Sequence, residues 1–139
     1  MFLFLTKIEY QEWQNHQEGF DFVVIRTDEI NTVEKLLEAY HERLQLPYMG
    51  RNFNSLWDVL FDPFWMCYKR VIIVHKYGLP DLNDGDLRTY LNILHRSIDN
   101  KYKPDPNISF TIVFVTENDS AKVLIQKQIE MLMQDETKS

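Results

Sequence analysis

Three short stretches of the chain are almost continuously apolar. They cover residues 20–26, 70–75 and 108–115, and valine, isoleucine and phenylalanine dominate them. Runs of this length and composition are typical of strands that are buried on both faces. The sequence therefore predicts three strands inside the protein.

Between and after these stretches, apolar residues recur three and four positions apart, which is the spacing of one helical face. The pattern predicts helices over residues 33–45, 53–62, 85–98 and 121–134. The last of these carries its predicted apolar face at Leu124, Ile125, Ile129 and Leu132.

Polar residues that can accept a hydrogen bond from a first helical turn precede each of these helices. The candidates are Asn31 or Thr32 for the first helix, Asn52 for the second, Asp84 for the third and residues 117–120 for the fourth. The apolar start of the chain, residues 1–5, is expected to pack as a strand or short helix. A short helix and a loop ending at Gly19 are expected after it.

Strands separated by helices predict an α/β fold, because neighbouring parallel strands need a crossover that covers the sheet. We expect a small parallel sheet of three strands, with four strands as the alternative, covering helices, and an extra helix at the C-terminus. At 139 residues, the chain is expected to form a single domain.

The composition of the chain indicates what kind of partner it binds and in which compartment it is found. The net charge of −6 argues against direct binding of nucleic acid and favours attraction of a basic protein. Cys67 is the only cysteine, which favours a reducing cytoplasm over a disulfide-forming compartment. The apolar start lacks the flanking residues of a signal peptide and is too short to span a membrane.

Catalytic and cofactor motifs are missing from the sequence. No glycine-rich phosphate loop follows a strand, and the four histidines lack metal-ligand spacing. Cys67 and His75 could in principle act as nucleophile and base. Cys67 lies in an apolar-aromatic run, where a buried structural thiol is more common. We therefore expect no catalytic residue, no metal and no cofactor.

The helix predicted over residues 53–62 has an acidic outer face. Asn54, Asp58 and Asp62 recur every four residues, opposite the apolar face. Carboxylates at this spacing repel each other slightly, and a negative charge near a helix C-terminus is unfavourable. The face is either a solvated surface that happens to be acidic or a surface that binds a partner.

Aromatic residues flank this face, as they do at many protein interfaces. Tyr48 lies in a loop between Pro47 and Gly50, so it is the best candidate for exposure. Trp57 lies on the apolar side of the helix and is equally consistent with a core position. Trp65 is open to both interpretations.

Residues 46–60 resemble the barstar family of intracellular ribonuclease inhibitors. The family's signature corresponds here to Leu46-Pro47-Tyr48, Gly50, Asn52 and Leu56-Trp57-Asp58. The surrounding elements follow in the same order, so the resemblance covers roughly residues 20–116. It implies a barstar-like domain over residues 1–139, with residues 1–19 and 117–139 as extensions of that core.

The resemblance also implies a function. In the family, the loop and the following helix plug the active site of a small basic ribonuclease, so Asp58 would stand in for an RNA phosphate. Tyr48 would cover the catalytic histidine of the enzyme, and Gly50 would allow close approach of the backbone. The implied partner-binding set is completed by Asn54, Trp57, Asp62 and Trp65. The implied partner is a basic secreted or toxin ribonuclease, which would make the chain a cytoplasmic, monomeric immunity protein.

Departures from the family pattern suggest a different cognate nuclease, or a binding mode that differs from that of the family. Arg51 and Asn54 stand where the family carries acids, and Asp99 is the candidate for an acid late in the third crossover helix. Two other classes of function remain open. One is an adaptor that binds a non-nuclease protein, and the other is a small enzyme with an unrecognised site at Cys67 or His75.

Overall fold

Strands are separated by one or two helices in the part of the chain that the structure, a computed structural model, describes: residues 2–46, 49–61, 70–98 and 109–137. The elements in chain order are β1 (Phe2–Thr6), α1 (Lys7–Gln14), β2 (Asp21–Ile25), a 3-10 turn (Thr27–Glu29), α2 (Val33–Arg43), α3 (Phe53–Phe61), β3 (Arg70–His75), α4 (Asp84–Ile98), β4 (Ser109–Thr116) and α5 (Asp119–Thr137).

The four strands form one parallel sheet in the order β1-β4-β3-β2. The three apolar stretches form β2, β3 and β4, which confirms the prediction of a parallel α/β sheet. The apolar N-terminal segment is the fourth strand. It pairs with β4 along its whole length, from Phe2 opposite Ile112 to Thr6 opposite Thr116. The four-stranded alternative is therefore the correct one.

The two central strands bury both of their faces, which explains their continuous apolar sequences. Val71, Ile73 and Ile112 point into the larger core, beneath the helices α2 to α5. Ile72 and Val113 point into a smaller core on the opposite face. That smaller core is closed by Tyr10 and Trp13 of α1 and by Phe20.

Side-chain caps begin most of the helices at the predicted positions. Thr32, Asn52 and Asn118 each accept a hydrogen bond from the backbone N–H three residues later, at 3.1, 3.3 and 2.9 Å. The prediction for α4 is wrong by one residue. Asn83, not Asp84, accepts the N–H three residues later, at 2.8 Å, and Asp84 is the first residue of the helix.

The predicted apolar face of α5 is too wide. Ile125, Ile129 and Leu132 are buried, but Leu124 is 69% exposed. The helix packs on α4, β1 and β4 from one side, so it buries a narrow stripe at positions i, i+4 and i+7. Leu124 lies outside that stripe.

The helix α3 lies against α2 and α4, and its apolar side points into the larger core. Leu56 and Leu60 are both 0% exposed. Asn54 and Asp58 are exposed on the opposite side. The core contacts of the two leucines therefore determine which face of α3 points outwards.

We predict that Leu56→Ala lowers the free energy of unfolding by about 2–5 kcal/mol, because it leaves a cavity in a fully buried site. Urea unfolding followed by circular dichroism measures the effect. Asn54→Ala is the matched control on the same helix and is expected to change stability by less than about 0.5 kcal/mol. Equal midpoints for the two variants would show that α3 is not anchored through Leu56.

Candidate partner-binding surface

The outer face of α3 presents Asn54 and Asp58 side by side. Residues four apart on a helix have Cβ atoms about 5–6 Å from each other. Both side chains are exposed, and Asp58 makes no ion pair with any residue that the structure describes. The carboxylate is therefore free to meet a group from outside this part of the chain.

Trp57 lies at the boundary between the core and the surface. Its ring stacks on that of Phe61, with centroids 3.6 Å apart and planes 18° apart. The guanidinium of Arg96, in the last turn of α4, lies 5.8 Å from the centre of the Trp57 ring. Trp57 is half-buried, so it joins α3 to α4 and also leaves part of its ring accessible beside Asp58.

A cleft of about 270 Å³ separates the loop before α3 from α2. Gly50 and Arg51 line it from the loop side, and Glu34, Glu38 and His41 line it from the helix side. Neither glutamate was among the predicted partner-binding residues. Their spacing of four residues shows in the sequence that they share the polar side of α2. Their position beside the loop follows only from the fold.

Three of the predicted partner-binding residues, Tyr48, Asp62 and Trp65, lie outside the described residues, as do Cys67 and Asp99. The structure brings the other four together around one helix: Gly50 at the cleft, and Asn54, Trp57 and Asp58 on α3.

A buried chain of hydrogen bonds lies beneath this surface. The Tyr40 and Tyr90 hydroxyls are 2.5 Å apart, and the Tyr90 hydroxyl is 2.6 Å from Nε2 of His75. Nδ1 of His75 is 3.1 Å from the carbonyl oxygen of Val113. Because that carbonyl can only accept, Nδ1–H donates to it and Nε2 accepts from Tyr90. Tyr90 in turn accepts from Tyr40.

This chain of hydrogen bonds connects α2, α4, β3 and β4, and a ring contact extends it to α3. The ring of Phe53, the first residue of α3, stacks on Tyr90 with centroids 6.4 Å apart and planes 25° apart. The position of α3 therefore depends on the orientation of Tyr90, which the hydrogen bonds hold fixed.

Burial controls the protonation of the three side chains in this hydrogen-bond chain. It lowers the pKa of His75 to about 4, against the opposing effect of the hydrogen bond to Val113. Burial also raises the pKa values of Tyr40 and Tyr90. His75 is 0% exposed, so it lacks the access to substrate that a catalytic base needs.

The described ranges contain no group of three or more His, Cys, Asp or Glu side chains that could hold a metal ion. None of their helices combines the length and the apolar character needed to cross a membrane.

A family model described as barstar (barnase inhibitor) matches residues 20–115. The chain belongs to the barstar family. The resemblance inferred from the sequence is thus confirmed, and the matched span contains β2, α2, α3, β3 and α4 together with most of β4. Membership implies, in general terms, a ribonuclease as the protein partner. The helices α1 and α5 and the strand β1 lie outside the matched span.

Among solved structures, the chain is similar to the ORC2 protein of Aeropyrum pernix in ADPNP–ADP complexes, with a TM-score of 0.59 and 13% sequence identity. The match covers 91% of this chain and 33% of that one, so this chain spans about a third of the length of that protein. At this identity the likeness shows a shared fold alone. No curated protein matches the chain.

We predict that acid destabilises the fold through His75. A histidine in the unfolded chain has a pKa near 6.5, whereas His75 in the folded protein has a pKa of about 4. Between these values only the unfolded state binds the proton. The free energy of unfolding therefore falls as the pH drops from about 6.5 towards 4, by up to about 3 kcal/mol in total.

The matched variant is His75→Gln, which keeps a donor and an acceptor but does not titrate. Carboxyl groups titrate similarly in both proteins, so the difference between their stability–pH curves isolates His75. Urea unfolding at pH 7, 6, 5 and 4.5 gives the two curves. Parallel curves for the wild type and the variant would contradict the pKa assigned to His75.

Proposed function

We propose that this chain is an inhibitor that blocks the active site of a basic ribonuclease, with the outer face of α3 in the place of an RNA phosphate. The observation that carries the proposal is the position of Asp58. Its carboxylate lies exposed on α3, within the span that matches the barstar family, and has no ion-pair partner among the described residues.

A carboxylate in this position has the chemistry needed to imitate phosphate. Both groups accept paired hydrogen bonds from a guanidinium, and such charge-assisted bonds are about twice as strong as neutral ones. A ribonuclease must offer cationic groups to its substrate backbone. An exposed aspartate on a rigid helix can therefore occupy the same groups without being cleaved.

The charge of the rest of the molecule supports the same partner. The net charge of −6 attracts a basic protein over long range and accelerates encounter. Glu34 and Glu38 add exposed carboxylates on α2, next to the loop that leads into α3. These carboxylates lie on the side of α2 that faces the loop leading to Asp58.

The remaining residues of the proposed interface have supporting roles. Trp57 offers a half-exposed ring beside Asp58, and Gly50 allows the partner to approach the backbone at the cleft. Asn54 extends the polar stripe of α3 by one turn. Tyr48, Asp62 and Trp65 belong to the proposed interface through the family resemblance alone.

The proposal also includes a biological setting. A ribonuclease synthesised inside a cell attacks that cell's own RNA, so its inhibitor is needed in the same compartment. We therefore propose a cytoplasmic immunity protein that binds its nuclease as a monomer and performs no chemistry itself.

We predict that Asp58→Ala weakens binding of the cognate ribonuclease by about 2–5 kcal/mol, because it leaves the guanidinium groups of the enzyme buried and unpaired. The nuclease is obtained by co-purification with the tagged chain from its native host and is identified by an RNase assay. Titration calorimetry then gives the dissociation constants, and circular dichroism shows whether the variant is folded.

Asp21→Ala is the matched control, since Asp21 is an exposed aspartate at the start of β2 and is not part of the proposed interface. It is expected to bind as the wild type does. Equal affinities for Asp58→Ala and wild type would reject the assignment of Asp58. If the chain captures a protein without RNase activity and no nuclease binds, the adaptor function replaces inhibition.

A further inference from the structure

Two arginines border α3, one towards α2 and one from α4. Arg51 is exposed at the cleft towards α2, just before the helix begins. Arg96 is exposed at the end of α4, where it lies over Trp57. Among the residues that the structure describes, neither arginine makes an ion pair.

These arginines change the charge pattern that α3 offers to a partner. Asp58 supplies a negative charge on the outer face, and the guanidinium groups of Arg51 and Arg96 border the helix. A site that is basic over its whole rim would attract Asp58 and repel both arginines. Like charges brought together across an interface are strongly unfavourable, so such a partner is disfavoured.

The guanidinium of Arg96 is positioned to bind a carboxylate of a partner. Its guanidinium rests over the Trp57 ring, and that ring is held by its stack on Phe61. A guanidinium carries five N–H groups, and none of those of Arg96 is used in an ion pair with a described residue. A carboxylate of the partner could accept two of them side by side.

Arg51 has a more mixed environment. Glu34 and Glu38 line the same cleft, although neither is within ion-pair distance of Arg51. The negative charges of the two glutamates partly cancel the positive charge that Arg51 presents to a partner. The preference for a carboxylate is therefore weaker at Arg51 than at Arg96.

We propose that the partner is a ribonuclease whose basic phosphate site is bordered by acidic residues, with carboxylates that meet Arg96 and, more weakly, Arg51. This inference rests on the proposed function and adds the selectivity of the same surface. The carboxylate of Asp58 attracts the basic phosphate site that ribonucleases share. Arg51 and Arg96 favour those ribonucleases that carry carboxylates beside that site.

Charge reversal on the inhibitor tests the proposal against the co-purified ribonuclease. Arg96→Glu is expected to weaken binding at least about tenfold and Arg51→Glu about threefold, because each places two carboxylates together. Lys127→Glu is the control, since it makes the same change in net charge at an exposed position on α5 and is expected to bind within about twofold of wild type.

Two additional variants separate charge from structure. Arg96→Gln removes the charge without reversing it, and we expect a loss smaller than that of Arg96→Glu. Reversing the acidic rim residue of the nuclease to lysine should restore its binding to Arg96→Glu. A variant that had merely lost its fold would not be rescued in this way.

The outcomes distinguish this inference from the function on which it rests. If wild type inhibits the nuclease and both reversals bind as well as Lys127→Glu, or more tightly, the acidic border is wrong and inhibition stands. If wild type binds no ribonuclease, the proposed function and this inference fail together.

Discussion

The buried hydrogen bonds of His75 are the constraint on which the rest of the structure depends. His75 ends β3 at full burial, and both of its ring nitrogens are used, one by β4 and one by Tyr90 of α4. Tyr90 continues the connection to Tyr40 of α2 and to Phe53 of α3. Burying a polar group this deeply is unfavourable unless all of its hydrogen bonds are made. These hydrogen bonds therefore favour a single placement of α2 and α4, and with them of α3.

That constraint explains how an exposed surface is held in place by the interior. The helix α3 has nine residues, too few to be stable by itself in water. Leu56 and Leu60 fix its rotation, and the stack of Phe53 on Tyr90 fixes its start. Asp58 is thus presented on a rigid element, and a preorganised group loses less entropy when it binds.

The sequence predicts the parts of the fold that local patterns determine. The strands β2, β3 and β4 and the helices α2 and α3 follow from apolar runs and from the 3.6-residue period, because these elements bury a large part of their surface. The cap of α4 differs by one residue, since Asn83 and Asp84 are both good acceptors and only the backbone path selects between them. Leu124 is exposed because the neighbours of α5 cover only a narrow stripe.

The candidate site is predictable only in part, because some of its residues are brought together by the packing of different helices. The stripe of Asn54 and Asp58 is a property of one helix and is visible in the sequence. The positions of Arg96 over Trp57 and of Glu34 and Glu38 beside Arg51 depend on how α2 and α4 pack around α3. The fold shared with the Aeropyrum pernix protein does not specify such a surface, because function lies in the side chains placed on a fold.

Competition between this chain and a substrate analogue for the nuclease tests the central claim most directly. The nuclease is mixed with a labelled, non-cleavable oligoribonucleotide, and the displacement of that label by the chain is followed by fluorescence anisotropy. If α3 occupies the phosphate site, binding is mutually exclusive, and the chain displaces the whole of the label. A stable ternary complex of nuclease, oligoribonucleotide and this chain would contradict the account.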